Sequence, residues 1–165
     1  MSWLRILRHL FFPPWWVRVK FPRPVQHAIE QAIRASEAQH RGQIRFAIEA
    51  SLALPLLLKG VSPRQRAEEV FALLRVWDTE ENNGVLIYVL LADRDVEIVA
   101  DRGIAAKVQP AEWEAVCRQM EQAFARGDFE GGALAAIRAV GEQLARHFPP
   151  QAGTANTLPD SPAVL

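Results

Sequence analysis

Hydrophobic positions along the chain change period several times, and each change marks an element. Trp3, Leu4, Ile6, Leu7, Leu10 and Phe11 fall on one face of a helical wheel, with Arg5, Arg8 and His9 on the other. Ser2 precedes this helix as a cap, and Pro13-Pro14 ends it before Trp15-Trp16, Arg18 and Lys20. Pro24 opens a second helical pattern through Val25, Ile29, Ala32 and Ile33, predicting a helix over 24–39. The period then drops to two. Ile44, Phe46 and Ile48 alternate with Arg45, Ala47 and Glu49, predicting a strand. The apolar run 52–59 holds Pro55 and reads as an irregular loop or short helical turn.

Ser62-Pro63-Arg64-Gln65 carries both halves of a capping box and a proline at the first helical position. Ala67, Val70, Phe71, Leu74 and Trp77 form the expected buried stripe of that helix. Val85–Leu91 is apolar on both parities, predicting a central strand covered on both faces. Only Ala92 and the polar Asp93-Arg94-Asp95 separate it from a second strand, Val96–Ala100, and so short a link permits only an antiparallel hairpin. Two more helices follow. Pro110 opens one with Trp113, Val116, Cys117, Met120 and Phe124 on one face. Asp128 caps the other, which buries Leu134, Ile137, Val140, Leu144 and Phe148. The order predicts an α/β fold: a three-layer α/β/α sandwich whose short mixed sheet contains an antiparallel hairpin, with helices on both faces. Three parts are expected: a basic amphipathic Trp-rich segment 1–23, a domain 24–148, and an aperiodic, disordered tail 149–165.

Composition narrows the function classes. The 165 residues, 50% hydrophobic, suffice for one domain with an ordinary core. Formal net charge is zero, which gives no basic excess for nucleic acid. The charge is uneven, however. Residues 1–23 hold Arg5, Arg8, Arg18, Lys20 and Arg23 without an acid, so the remainder carries about −5. A single cysteine, Cys117, rules out an intrachain disulfide and reads as a buried inert thiol. No apolar run reaches the ~20 residues of a transmembrane helix. The N-terminus, broken by Arg5, Arg8 and His9 and lacking a small-residue cleavage site, does not read as a signal peptide. The expected location is cytoplasmic, peripheral at the inner membrane. Trp3, Leu7, Phe11, Trp15, Trp16 and Arg18 are the candidate contacts to a membrane surface or a membrane-protein partner. The bland reading is that this apolar face packs on the domain.

Candidate chemistry gathers at one end of the hairpin. The start of its first strand lies beside the end of its second, so Asn82-Asn83-Gly84 must meet Asp101-Arg102-Gly103. Asp93 and Asp95 go to the opposite end. Glu80, Glu81, Asn82, Asn83 and Asp101 offer oxygens to a hard cation such as Ca²⁺ or Mg²⁺. Arg102 and the glycine-rich backbone offer instead an anion site, and ordinary turn chemistry accounts for the same residues with no ligand. His9, His27, His40 and His147 show no metal-ligand spacing, and no P-loop, GxSxG or GxGxxG pattern occurs.

Three motifs resemble the TPM domain family of bacteria and chloroplasts. Glu81-Asn82-Asn83-Gly84 running into Val85–Leu90 is similar to the family's DNG entry into its central strand. Val96–Ile104 resembles its second strand and exit turn, and Gly127-Asp128-Phe129-Glu130-Gly131-Gly132 resembles its last helix start. The resemblance covers about residues 40–148 and implies an α/β/α module with a polar site at the DNG end. It implies one of two roles: a divalent-cation-binding phosphatase, or an assembly and maintenance factor for membrane complexes. It adds Asp128 to Glu81, Asn82 and Asp101 as candidate metal residues. Two departures stand out, since Asn82 replaces the family aspartate and Asp101-Arg102-Gly103 replaces a GYG turn. Lacking a catalytic motif, the chain reads as a non-catalytic interaction module, with the metal-dependent hydrolase as the alternative.

Overall fold

The computed structural model describes residues 2–165. The element order is α1 (Trp3–Leu10), α2 (Trp16–Lys20), α3 (Arg23–Glu37), β1 (Gln43–Glu49), α4 (Leu54–Leu58), α5 (Pro63–Leu73), β2 (Gly84–Leu90), β3 (Asp95–Ala100), α6 (Arg102–Ala105), α7 (Pro110–Ala125), α8 (Phe129–His147) and β4 (Ala163–Val164). The four strands lie in the order β3-β2-β1-β4. β2 pairs antiparallel with β3 and parallel with β1, and β4 adds to β1 in parallel. The expected mixed sheet with its hairpin is therefore present.

The sheet separates two hydrophobic cores. On one side Ile44, Phe46, Ile48, Val85, Ile87 and Val89 pack against α3, α7 and α8. On the other Ala47, Leu86, Tyr88 and Leu90 meet α4, α5 and Ile6 of α1. β2 is wholly buried because both parities of its side chains are apolar and each has a core to enter. The Ser62–Gln65 capping box forms as its residues predict, with Ser62 Oγ accepting from Gln65 N and Gln65 Oε1 from Ser62 N.

Several expectations are corrected. β1 is buried at all seven positions, not on one face. Its alternate charges are neutralised rather than solvated: both Glu49 oxygens accept from Arg66, at 2.9 and 3.0 Å, and Tyr88 Oη donates to Glu49 Oε1 at 2.6 Å. α5 stops at Leu73, and Arg75 takes a left-handed φ of 56°. The chain turns there, so Trp77 leaves the core and stacks beside Arg75. The tail is not aperiodic throughout: Leu158 and Asp160 are buried and β4 joins the sheet. Two strand residues are too few for any periodicity to reveal them.

The bland reading of α1 is the one overturned, because its apolar stripe does not pack on the domain. The polar face docks instead, with Arg5, Arg8 and His9 all meeting Asp93 in the β2–β3 turn. Only Ile6 of the apolar set is buried, and Trp3, Leu4 and Phe11 stand 75%, 78% and 81% exposed.

Candidate functional site

The two ends of the hairpin meet as the strand order requires. Asp101 N donates to Gly84 O at 2.9 Å, and Gly103 N donates to Asn82 O at 2.8 Å. The backbones approach so closely that a Cβ on Gly103 would lie 2.3 Å from Glu81 O, and one on Gly84 would lie 2.2 Å from Val76 O. Asn82 itself sits at φ 52°, a left-handed conformation that asparagine tolerates better than most residues. Asn83 is buried, with its N–H donating to Thr79 Oγ1 at 3.0 Å.

The candidate metal residues separate under this geometry. Both carboxylate oxygens of Glu81 accept from Arg41, Oε2 from Nε at 2.8 Å and Oε1 from Nη2 at 3.0 Å. That guanidinium holds the Glu81 carboxyl below its ordinary value. The Asn82 carbonyl already accepts from both Gly103 and Ile104. Asp101 caps α6, its Oδ1 accepting from Arg102 N at 2.8 Å, while Oδ2 is buried without a partner. Asp128 does not join them. It caps α8 by accepting from Gly131 N at 2.9 Å, but α8 brings its other end to the loop. Leu144 packs beside Gly42, and Phe148 O accepts from Arg41 N. A 19-residue helix spans about 28 Å, so Asp128 lies at the far end of the sheet.

Ca²⁺ takes six to eight oxygens and Mg²⁺ demands a near-octahedral set. At this loop the Glu80 carboxylate, the Asp101 Oδ2 and the side-chain amides of Asn82 and Asn83 are not engaged by the bonds above, but only Glu80 and Asp101 among them carry charge. Among the described residues no group of three or more His, Cys, Asp or Glu side chains converges with metal-holding geometry. The residues present therefore do not fit a resident divalent cation as they stand. The loop does border a groove of about 450 Å³, lined by Arg41, Gln43, Glu81 and Asn83 and by residues 151–155 and Thr157 of the tail.

At the opposite end of the sheet, Asp93 was assigned no role by the sequence yet organises the most concentrated polar contact of the surface. Arg5 Nη2 lies 2.8 Å from Oδ2, with Arg8 Nη2 and His9 Nε2 on Oδ1 at 2.5 and 2.8 Å. Burial acts to raise the Asp93 carboxyl, but the hydrogen bonds from His9, Arg5 and Arg8 outweigh it and hold the group well below the ordinary range. The signal was present in the three basic residues at helical spacing, but their target lies 84 to 88 residues away. Nearby, burial and the carboxylates of Glu97, Glu121 and Asp95 push the Cys117 thiol up to about 12, so it is no nucleophile at neutral pH.

The fold agrees with the comparisons. The model of the TPM domain family matches residues 21–143. The chain belongs to the TPM domain family. An NMR structure of the BA42 protein from the psychrophilic bacterium Bizionia argentinensis is 30% identical and superposes with a TM-score of 0.75, covering 86% of this chain and 93% of that one. The solution NMR structure of the N-terminal domain of the cg2496 protein from Corynebacterium glutamicum is 19% identical with a TM-score of 0.53, covering 74% of this chain and 72% of that one, a likeness of fold alone. A search of curated proteins gives no match. The TPM match begins at residue 21, so α1 and α2 lie outside it.

Proposed function

We propose that this TPM protein is a non-catalytic binding module that rests on a membrane surface through residues 3–20 and supports a larger membrane complex. The observation that carries this reading is the inverted docking of α1. An amphipathic helix on a water-soluble surface gains most by burying its apolar face. Here the polar face is held by Asp93, and Trp3, Leu4, Leu7, Leu10 and Phe11 point outward. Trp15 and Val19 beyond it, and Leu54 and Leu58 of the adjoining α4, are exposed too. Exposed large apolar residues gathered on adjoining helices α1 and α4 favour an interaction site. Arg8 and Arg18 remain accessible beside it, the pairing of apolar face and cations that suits an anionic interface. No described helix is long and apolar enough to cross a membrane, so the contact proposed is with the surface.

The test is binding of the full chain to vesicles of phosphatidylcholine with phosphatidylglycerol, followed by cosedimentation and tryptophan emission. The expected result is cosedimentation with a blue shift, weakened about tenfold or more in Phe11→Ser and Trp3→Ser, both fully outward and outside the packed core. A wild-type chain that stays in the supernatant overturns the reading. The metal-dependent phosphatase reading rests on the unpartnered Asp101 Oδ2 alone. Saturable amide shifts at Asn82 and Asp101 on Ca²⁺ or Mg²⁺ titration would move the conclusion toward it.

A further inference from the structure

Residues 158–165 are held in a way unlike the rest of the fold. The stretch 149–157 that leads to them is exposed at every position, whereas Leu158 and Asp160 are buried. The segment is gripped mainly through its backbone. Gln43 Oε1 accepts from both Thr157 N and Leu158 N at 3.2 Å. Arg45 Nη1 donates to Ser161 O and, at 3.5 Å, to Pro159 O. Leu165 N donates to Ile48 O at 2.9 Å, and Ala163–Val164 pairs in parallel with Ala47–Ile48. Two side chains then set the sequence. Leu158 enters the core on the α5 side of the sheet. Asp160 enters a recess that holds two cations and one buried carboxyl: it lies 3.5 Å from Arg34 Nε, faces the buried Arg45 and hydrogen-bonds Glu37, whose own carboxyl is pushed up to about 9 and so is protonated at neutral pH, while Asn156 Nδ2 donates to both Asp160 oxygens at 3.0 and 3.1 Å.

This is the geometry by which sheet edges take up extended peptides: main-chain hydrogen bonds for affinity, and pockets for particular side chains for selectivity. Apart from Asn156 within the segment, the gripping groups come from β1 and α3, inside the domain. The occupant is joined to that domain only by an exposed tether.

We propose that the outer edge of β1, with Gln43, Arg45 and Arg34, is a docking groove for an extended acidic peptide of a partner protein, one with a leucine-sized residue two positions before an aspartate, and that residues 157–165 are its tethered occupant in cis. Charge complementarity selects the partner, because a buried Arg45 left without a carboxylate would be uncompensated. A short flexible tether supplies an effective concentration on the order of millimolar, so the intact chain keeps the groove closed to weak competitors. The inference rests on the binding-module reading and gives it a partner class.

The test runs without lipid, so its result is independent of membrane contact. A protease site is placed in the exposed stretch 151–154 of the full chain and cut after folding. The released segment is expected to stay associated and to exchange with a labelled peptide of residues 156–165. The same peptide with Asp160→Asn should bind about tenfold more weakly, and the uncut chain should bind the wild-type peptide about a hundredfold more weakly. The proposal is overturned if the segment leaves a still-folded domain that takes up no peptide, or if the Asn peptide binds equally well. It is also overturned if cutting unfolds the chain and Leu158→Ala in the uncut chain does the same, since the segment is then an integral strand. Doubling of mass in light scattering after cutting would identify a second copy as the occupant and remove the foreign partner.

Discussion

His9 Nε2 lies 2.8 Å from Asp93 Oδ1 while Nδ1 of the same ring accepts from Leu52 N at 2.9 Å. A backbone N–H can only donate, so the ring proton sits on Nε2 and is given to Asp93. One side chain thus ties α1 to two separate loops.

Asp93→Asn should undock α1 without unfolding the sheet. Losing the carboxylate leaves Arg5, Arg8 and His9 facing a neutral group, a cost of about 2 kcal/mol. Hydrogen exchange of Arg5–Phe11 and Leu52 should accelerate roughly thirtyfold while β2 stays protected. The folded pKa of Asp93 lies below its ordinary 3.8, so this stabilisation is complete above that value and is lost only as pH falls through the lower folded value. Protection of α1 should therefore persist to at least pH 4 in the wild type.

Glu37 predicts the opposite pH trend. Burial, then hydrogen bonding and repulsion from Asp160, push its carboxyl from 4.5 to about 9, so it is protonated at neutral pH. A raised folded pKa contributes stability that is full below 4.5 and declines as pH rises toward 9. Glu37→Gln keeps the neutral form at every pH. It should flatten the decline in chemical-denaturation stability between pH 5 and 9, measured as a difference from wild type, and should be the more stable chain at pH 8 by about 1 kcal/mol or more.

Gly84→Ala and Gly60→Ala separate crowding from backbone strain. An added Cβ at Gly84 would meet the Val76 carbonyl, which is backbone and cannot swing aside. The expected loss is about 2–4 kcal/mol. Gly60 has open space around it but a φ of 70°, so alanine there should cost only about 1 kcal/mol. Equal losses in thermal melts would contradict the close approach of β2 to Val76.

Tyr88→Phe should cost about 1–2 kcal/mol, because the buried Glu49 then loses one donor while Arg66 still holds both oxygens. Arg66→Met should cost more, about 3 kcal/mol or above, by leaving the buried carboxylate without its cation. Urea denaturation of the two variants checks the order.

Much of the fold was legible because each element carried its own signal: the capping box at Ser62, the doubly apolar run of β2, and a four-residue link too short for anything but a hairpin. The meeting of Asn82 and Asp101 followed from that hairpin alone. What stayed hidden depended on partners far along the chain. The wheel separates the faces of α1 but cannot say which one docks, since Asp93 is the deciding residue and lies in another element. The alternation in β1 gave no sign that Arg45 and Glu49 are buried, because their partners come from residues 157–161, Tyr88 and α5. Asp128 was placed at the wrong end of the sheet because a helix start reveals its cap but not which end of the helix reaches the site.

Gly84 and Gly103 bring two stretches of main chain into direct contact, with no side chain between them. The junction behaves like a weld: it fixes where the loop begins and ends without using Asn82, Asp101 or Glu81 side chains at all. The main-chain contact at this end of the sheet therefore persists whatever oxygens Asp101 and Glu81 present, while position 82 stays bound to a residue that, like Asn82, accepts a left-handed backbone.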